Sequence, residues 1–189
     1  LAITEELRHV IDCALISNVM MMKSVLLSKG FKANSSHLPD SAEKIKANID
    51  KVLESNDIIL LSGGVSAGKK DLIPGVLTEA GFVTVFHKIA QKPGKPMLVA
   101  TRPDGKVVFA FPGNPISTLT CFWVYFLPWV SGDFPEYAEK EIKFLPKPSA
   151  ELDQWIPVEN GETVAHNGSG DLINWSKADG LVWQKAGQK

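Results

Sequence analysis

Apolar residues recur along this chain at two spacings, and each run predicts an element. Met20, Met21, Val25 and Leu27, with the small Ser24, share one helical face behind Ser17 or Asn18 as N-cap, and Gly30 is placed to stop that helix. Leu1–Ile3 reads as the tail of a strand with Thr4–Glu6 in the loop after it, and Phe31–Asn34 as a short strand. Asp40 caps a second helix, with Glu43 three residues on and Ile45, Ile49, Val52 and Leu53 at helical spacing. Asp57–Leu61 is a short continuous apolar run, the signature of a strand covered on both faces, and Gly63-Gly64 ends it. Asp71 caps a helix that tolerates Pro74 in its first turn, turns Val76 and Leu77 inward and stops at Gly81. Val83, Val85 and His87 form the next strand. Met97–Thr101 and Lys106–Phe111 form a hairpin turned at Pro103-Asp104-Gly105. Asn114 caps a long apolar helix with Pro115 at its first position, running through Cys121 and Trp123 to about Leu127. Strands alternating with helices predict an α/β domain: three layers, α/β/α, around a mostly parallel sheet.

The texture changes after that helix. Prolines and charges crowd residues 131–150, and short strands with turns follow: Trp155–Val158, Asn160-Gly161, Glu162–Ala165, Asp179-Gly180 and Leu181–Trp183. The expected division is a first domain over 1–133, a linker over 134–150 and a small β-barrel-like domain over 151–189. The chain opens on Leu1 rather than Met, which reads as a piece of a longer protein.

Composition narrows the function. At 44% hydrophobic and 22% charged the chain has the balance of an ordinary globular protein. A net charge of −1 supplies no overall field for nucleic acid, so anion binding has to come from a local cluster of cations. Cys13 and Cys121 lie in apolar helical surroundings, as reduced thiols of a cytoplasmic protein do, and no apolar run reaches the length of a membrane span. His9, His37, His87 and His166 have no metal-ligand spacing, and Ser66 and Ser117 lack partners spaced for a serine hydrolase. Five tryptophans, mostly late in the chain, read as packing residues.

Three turns carry the candidate chemistry. Gly63-Gly64-Val65-Ser66-Ala67-Gly68 follows a strand, where glycines let backbone amides approach and cradle a phosphate; a tight structural turn explains the spacing equally well. It is neither a Walker loop nor a well-formed dinucleotide fingerprint. Lys92-Pro93-Gly94-Lys95-Pro96 is stiffened by two prolines and presents two ammonium groups, suited to an oxyanion; a solvated surface turn is the plainer reading. Pro112-Gly113-Asn114-Pro115 joins a strand to a helix N-terminus, where free amides favour an anion and Asn114 is also a simple cap. Asp71 is either an N-cap or a hard oxygen ligand for a divalent cation beside phosphates.

The set Ser62–Gly68, Phe86-His87-Lys88, Lys92–Pro96 and Pro112–Pro115, followed by Gly168-Ser169-Gly170-Asp171 and Ala178–Leu181, resembles the MoeA family of molybdopterin molybdenumtransferases, related to the E domain of gephyrin. The resemblance implies a transferase of molybdenum cofactor biosynthesis. Such an enzyme inserts molybdate into adenylated molybdopterin and releases AMP with help from a divalent cation such as Mg2+. It implies catalytic roles for Asp71, Lys92, Lys95 and Glu6, with Asp71 as metal ligand, and substrate contacts from Gly63, Gly64, Ser66, Gly68, Pro112, Gly113, Asn114, Pro115 and Ser117. It also implies a cytoplasmic homodimer, a pterin substrate and a Mog-type adenylyltransferase as partner.

Departures from the family pattern are visible. Thr4-Glu5-Glu6-Leu7 stands where the family has Thr-Gly-Asp-Glu-Leu, and only Ser17-Asn18 survives of an Asp-Ser-Asn-Ser turn. The N-terminal domains that complete the family's active site across its dimer are not in this sequence, and the C-terminal domain is shortened. The chain is therefore expected to bind ligand without turnover. Three other readings stay open: a molybdopterin adenylyltransferase of the Mog type, a non-catalytic binding or scaffolding module, and a CinA-like nucleotide hydrolase.

Overall fold

The apolar runs at Ile58–Leu61, Leu98–Ala100 and Val108–Phe111 become strands whose side chains are buried on both sheet faces. The computed structural model describes residues 13–38, 41–65, 72–136, 139, 141–168 and 170–187, with side chains from residue 18 onward. Expectations for Leu1–Ile3, Thr4–Glu6, Asp40, Ser66, Gly68 and Asp71 lie outside the described residues. In chain order the elements are α1 (Cys13–Ser28), α2 (Ala42–Leu53), β1 (Ile58–Ser62), α3 (Ile73–Glu79), β2 (Val83–His87), β3 (Gln91–Lys92), β4 (Leu98–Thr101), β5 (Val107–Phe111), α4 (Pro115–Cys121), a wide π turn (Phe122–Phe126), α5 (Leu127–Ser131), β6 (Asp153–Glu159), β7 (Glu162–Thr163), α6 (Leu172–Trp175) and β8 (Gly180–Gln184).

These elements group into two compact units. The first comprises the described residues up to Lys88 together with Pro96–Gly113, and the second comprises Ile89–Lys95 with Asn114 onward. β3 pairs in parallel with β6, so the segment around Gln91 belongs with the late β strands rather than with its sequence neighbours.

The first unit holds a sheet in the order β1-β5-β4-β2. β1 and β5 are parallel from Ile58↔Val107 to Ser62↔Phe111, as a doubly covered apolar run requires. β5–β4 and β4–β2 are antiparallel, so the sheet is mixed among the described residues. The expected hairpin is β4–β5. Its turn places Gly105 at φ 86° and lets Asp104 accept from Arg102 Nε at 2.9 Å and Nη2 at 2.5 Å. That guanidinium bonding pulls the Asp104 carboxyl down to about 2. One sheet face packs Ile59, Leu61, Leu98, Ala100, Val108 and Ala110 against Ile45, Ile49 and Leu53 of α2 and Ile73, Val76 and Leu77 of α3. Leu60, Val99 and Phe109 are buried from the other face. Residues 31–38 form no strand.

The register of α1 corrects the sequence reading. Met22 and Leu26 are the buried positions at 0% and 5%, whereas Met20 and Leu27 stand 52% and 53% exposed. Apolar residues lie on every side of this helix, so its periodicity could not choose a face. Asn18 is not a cap either: it sits inside α1, in the stripe with Met22 and Leu26.

In the second unit β6 is central. It pairs with β8 along Gln154–Val158, with β3 at Asp153 and Gln154, and with β7 at Val158 and Glu159. The β6–β7 turn is Asn160-Gly161 with both residues at positive φ, the geometry that the right-handed strand twist favours. Among the described residues the small β domain contributes a four-stranded sheet, β3-β6-β7 with β8 on the other side of β6. Within the same unit, the helix behind Asn114 continues as α4, the π turn and α5. At the π turn Leu127 N bonds back to Phe122 O. Pro128 follows directly; it has no N–H to give, and its ring would crowd the carbonyl four residues back in regular α geometry.

Candidate functional site

Strand β1 ends at Ser62 and β5 at Phe111, side by side because the pair is parallel, so both lead into turns at the same sheet edge. In α/β sheets, ligands bind outside the carboxyl ends of such strands. Gly63 N donates to Phe111 O at 3.0 Å, and Ser62 Oγ lies 3.4 Å from Pro112 O. A Cβ on Gly113 would stand 3.6 Å from Gly63 Cα, which measures how closely the two turns approach. Gly64, at φ 70°, has room for no side chain, because a Cβ there would come within 2.9 Å of Ile73 Cγ1.

Asn18 ties these turns together. Its Nδ2 donates to Ser62 Oγ and to Gly113 O, each at 2.9 Å, and its buried Oδ1 has no hydrogen-bond partner among the described residues. His87 holds the exit of the glycine turn through Nε2 and Val65 O at 3.2 Å. The structure therefore brings Gly63, Gly64, Pro112 and Gly113 together in the first unit. Ser66, Gly68, Asp71 and Glu6 lie outside the described residues, and with them the only metal ligand that the sequence suggested. Among the described residues no group of three His, Cys, Asp or Glu side chains could hold a metal ion.

The remaining predicted residues belong to the second unit. Lys92 and Lys95 are both exposed on one short loop, and neither is ion-paired among the described residues. The loop is held by the glycine between them. Gly94 is buried at φ 100°, and a Cβ there would collide with Cys121 Sγ and approach Gln91 Nε2 to 2.8 Å and Ser117 O to 3.5 Å. The lysine loop thus lies against the start of α4, beside predicted residue Ser117. Asn114 caps that helix by accepting from Ser117 N at 3.2 Å, with Pro115 in its first turn. Cys121 Sγ lies 3.6 Å from Gly94 O, and burial pushes this thiol up to about 12.

Sequence reasoning missed Gln91. It is 1% exposed, one residue before Lys92, and its amide Nε2 donates to Pro93 O at 2.9 Å while its Oε1 accepts from Trp155 Nε1 at 3.2 Å and from Tyr125 Oη. A glutamine inside Ile89–Gln91 gives no periodic signal; only its place beside the Pro-Gly turn marks it.

The family described as a probable molybdopterin binding domain matches residues 17–132. A molybdopterin molybdenumtransferase of Synechocystis sp. is 33% identical over 177 residues, 88% of this chain and 44% of that protein. The molybdenum cofactor synthesis protein cinnamon of Drosophila melanogaster is 37% identical over 59% of this chain and 19% of its own length. Among solved structures, a molybdopterin biosynthesis MoeA protein from Pyrococcus horikoshii superposes with a TM-score of 0.71 at 28% identity, covering 89% of this chain and 43% of that one. The chain thus spans less than half the length of these relatives. No helix among the described residues is long and apolar enough to cross a membrane.

Proposed function

Because this chain belongs to the family of probable molybdopterin binding domains, acting in molybdenum cofactor biosynthesis, we propose that it is the substrate-binding part of a molybdopterin molybdenumtransferase. The substrates are adenylated molybdopterin and molybdate, and the reaction cleaves the pyrophosphate link to release AMP. One observation carries this reading. Lys92 and Lys95 project from a loop whose buried glycine admits no side chain, and no carboxylate among the described residues neutralises them.

The chain's own groups act by position and charge. The two ammonium groups offset the charge of phosphate and molybdate oxygens, which grows as the phosphoanhydride breaks. The turns Ser62–Gly64 and Pro112-Gly113 present backbone without side-chain bulk, as a polyanion in close contact needs. Asn114 and Ser117 at the start of α4 add polar groups beside the lysine loop. Asp71, with Glu6, Ser66 and Gly68, completes the proposed set, and Asp71 is the residue that would hold Mg2+, which screens phosphate charge when bound. The buried, free thiol of Cys121 is consistent with a cytoplasmic setting. A homodimer, and a Mog-type adenylyltransferase that hands over the adenylated pterin, belong to the same proposal.

Calorimetry with adenylated molybdopterin tests it. The chain binds, and the double substitution Lys92→Ala with Lys95→Ala abolishes binding; unchanged affinity removes the lysine pair from the site. Incubation with molybdate then distinguishes the reactions. Molybdate-dependent AMP release that requires the family's N-terminal domains supports the insertase, and formation of the adenylate from ATP indicates the Mog type instead.

A further inference from the structure

We propose that Gln91 is a positioning residue for the lysine pair, a role that rests on the anion-binding reading of Lys92 and Lys95. Its side chain is 99% removed from solvent, since only 1% of it is exposed, yet its hydrogen-bonding capacity is used. Nε2 donates to Pro93 O at 2.9 Å and lies 3.7 Å from Cys121 Sγ; Oε1 accepts from Trp155 Nε1 at 3.2 Å and from Tyr125 Oη. A buried amide satisfied on both ends fixes one arrangement of the groups around it, because any shift leaves a polar atom unpaired in a low-dielectric interior. Those groups are the carbonyl between the two lysines, the helical segment that carries Cys121 and Tyr125, and strand β6.

The backbone adds a second constraint. β3, which is Gln91–Lys92, pairs with Asp153 and Gln154, and Ile89 N donates to Lys95 O at 2.8 Å, closing the loop at its base. Gln91 therefore grips the tip of the loop from inside while the β3–β6 pairing holds one flank. Lys92 is the nearer lysine, one residue along the chain, so its direction depends most on this grip. Gln91 touches no substrate; it acts through the lysines.

The test uses the 189-residue chain and pyrophosphate as probe, titrated by calorimetry. Wild type is compared with Lys92→Ala, Lys95→Ala, Gln91→Met and the Gln91→Met/Lys92→Ala double variant, with thermal midpoints recorded for all. Methionine keeps the shape of glutamine and removes its hydrogen bonds. Gln91→Met is expected to weaken binding about tenfold, but less than about twofold once Lys92 is gone, since contacting effects are non-additive. Equal losses in both backgrounds, or no loss in either, overturn the positioning role while leaving the lysine reading intact. If Lys92→Ala and Lys95→Ala both bind as wild type does, the lysine reading and this inference fall together. Should Gln91→Met fail to fold, Tyr125→Phe removes one bond to the same Oε1 atom, and the same comparison with Lys92→Ala decides.

Discussion

At the scale of single residues, Gly94 shows why a motif can be legible while its cause is not. The sequence marks Lys92–Pro96 as stiff, but the structure shows that the glycine is required by what lies behind it: Cys121 and Gln91 occupy the volume a side chain would need. Gly94→Ala adds a Cβ at φ 100° and is expected to lower stability by about 2–4 kcal/mol, combining backbone strain with overpacking. Urea denaturation measures this, and a loss under about 0.5 kcal/mol would mean the loop yields freely. Asn18 is the opposite case. A polar residue early in an apolar helix reads as a cap, because local sequence carries no sign that Ser62 and Gly113, 44 and 95 residues away, are its partners.

At the scale of elements, strong local chemistry was readable and face assignment was not. The β4–β5 hairpin, the α2 stripe and the Asn114 cap follow from turn residues, spacing and a capping side chain. The register of α1 failed because apolar residues surround it, and α6 was not anticipated because its four residues are too few to show a period. The hairpin turn gives a pH prediction. Arg102 holds Asp104 down to about 2 from its ordinary 3.8, so the pair's contribution is fully present above about pH 4 and fades as the pH falls through about 2. In Arg102→Ala the Asp104 carboxyl should titrate nearer its ordinary value, followed by carboxyl carbon shifts in NMR. A midpoint still near 2 would assign the depression to backbone amides instead. Asp104 is exposed and Arg102 only half-buried, so the effect on overall stability is small.

At the scale of the whole molecule, a net charge of −1 leaves anion binding to a few placed cations. Affinity for pyrophosphate should therefore fall several-fold between about 50 and 500 mM NaCl, as screening shortens the reach of exposed charges. The Lys92→Ala variant should show a shallower salt dependence in the same titrations, and an unchanged slope would move the anion to other residues. Sequence order foretold the α/β alternation. Residues 89–95 join the late β strands through pairing with β6, a long-range contact that spacing along the chain does not encode.

The π turn at Phe122–Phe126 has a consequence for how this polypeptide can vary in length. It takes one more residue than a regular coil would, so the side chains ahead of it and those behind it are out of step by one position. Excising a single residue there would close the wide loop, leave Trp129 facing as it does now, and press the Pro128 ring onto a carbonyl. The surplus residue is thus an expansion joint: it lets a proline stand inside an otherwise unbroken rod.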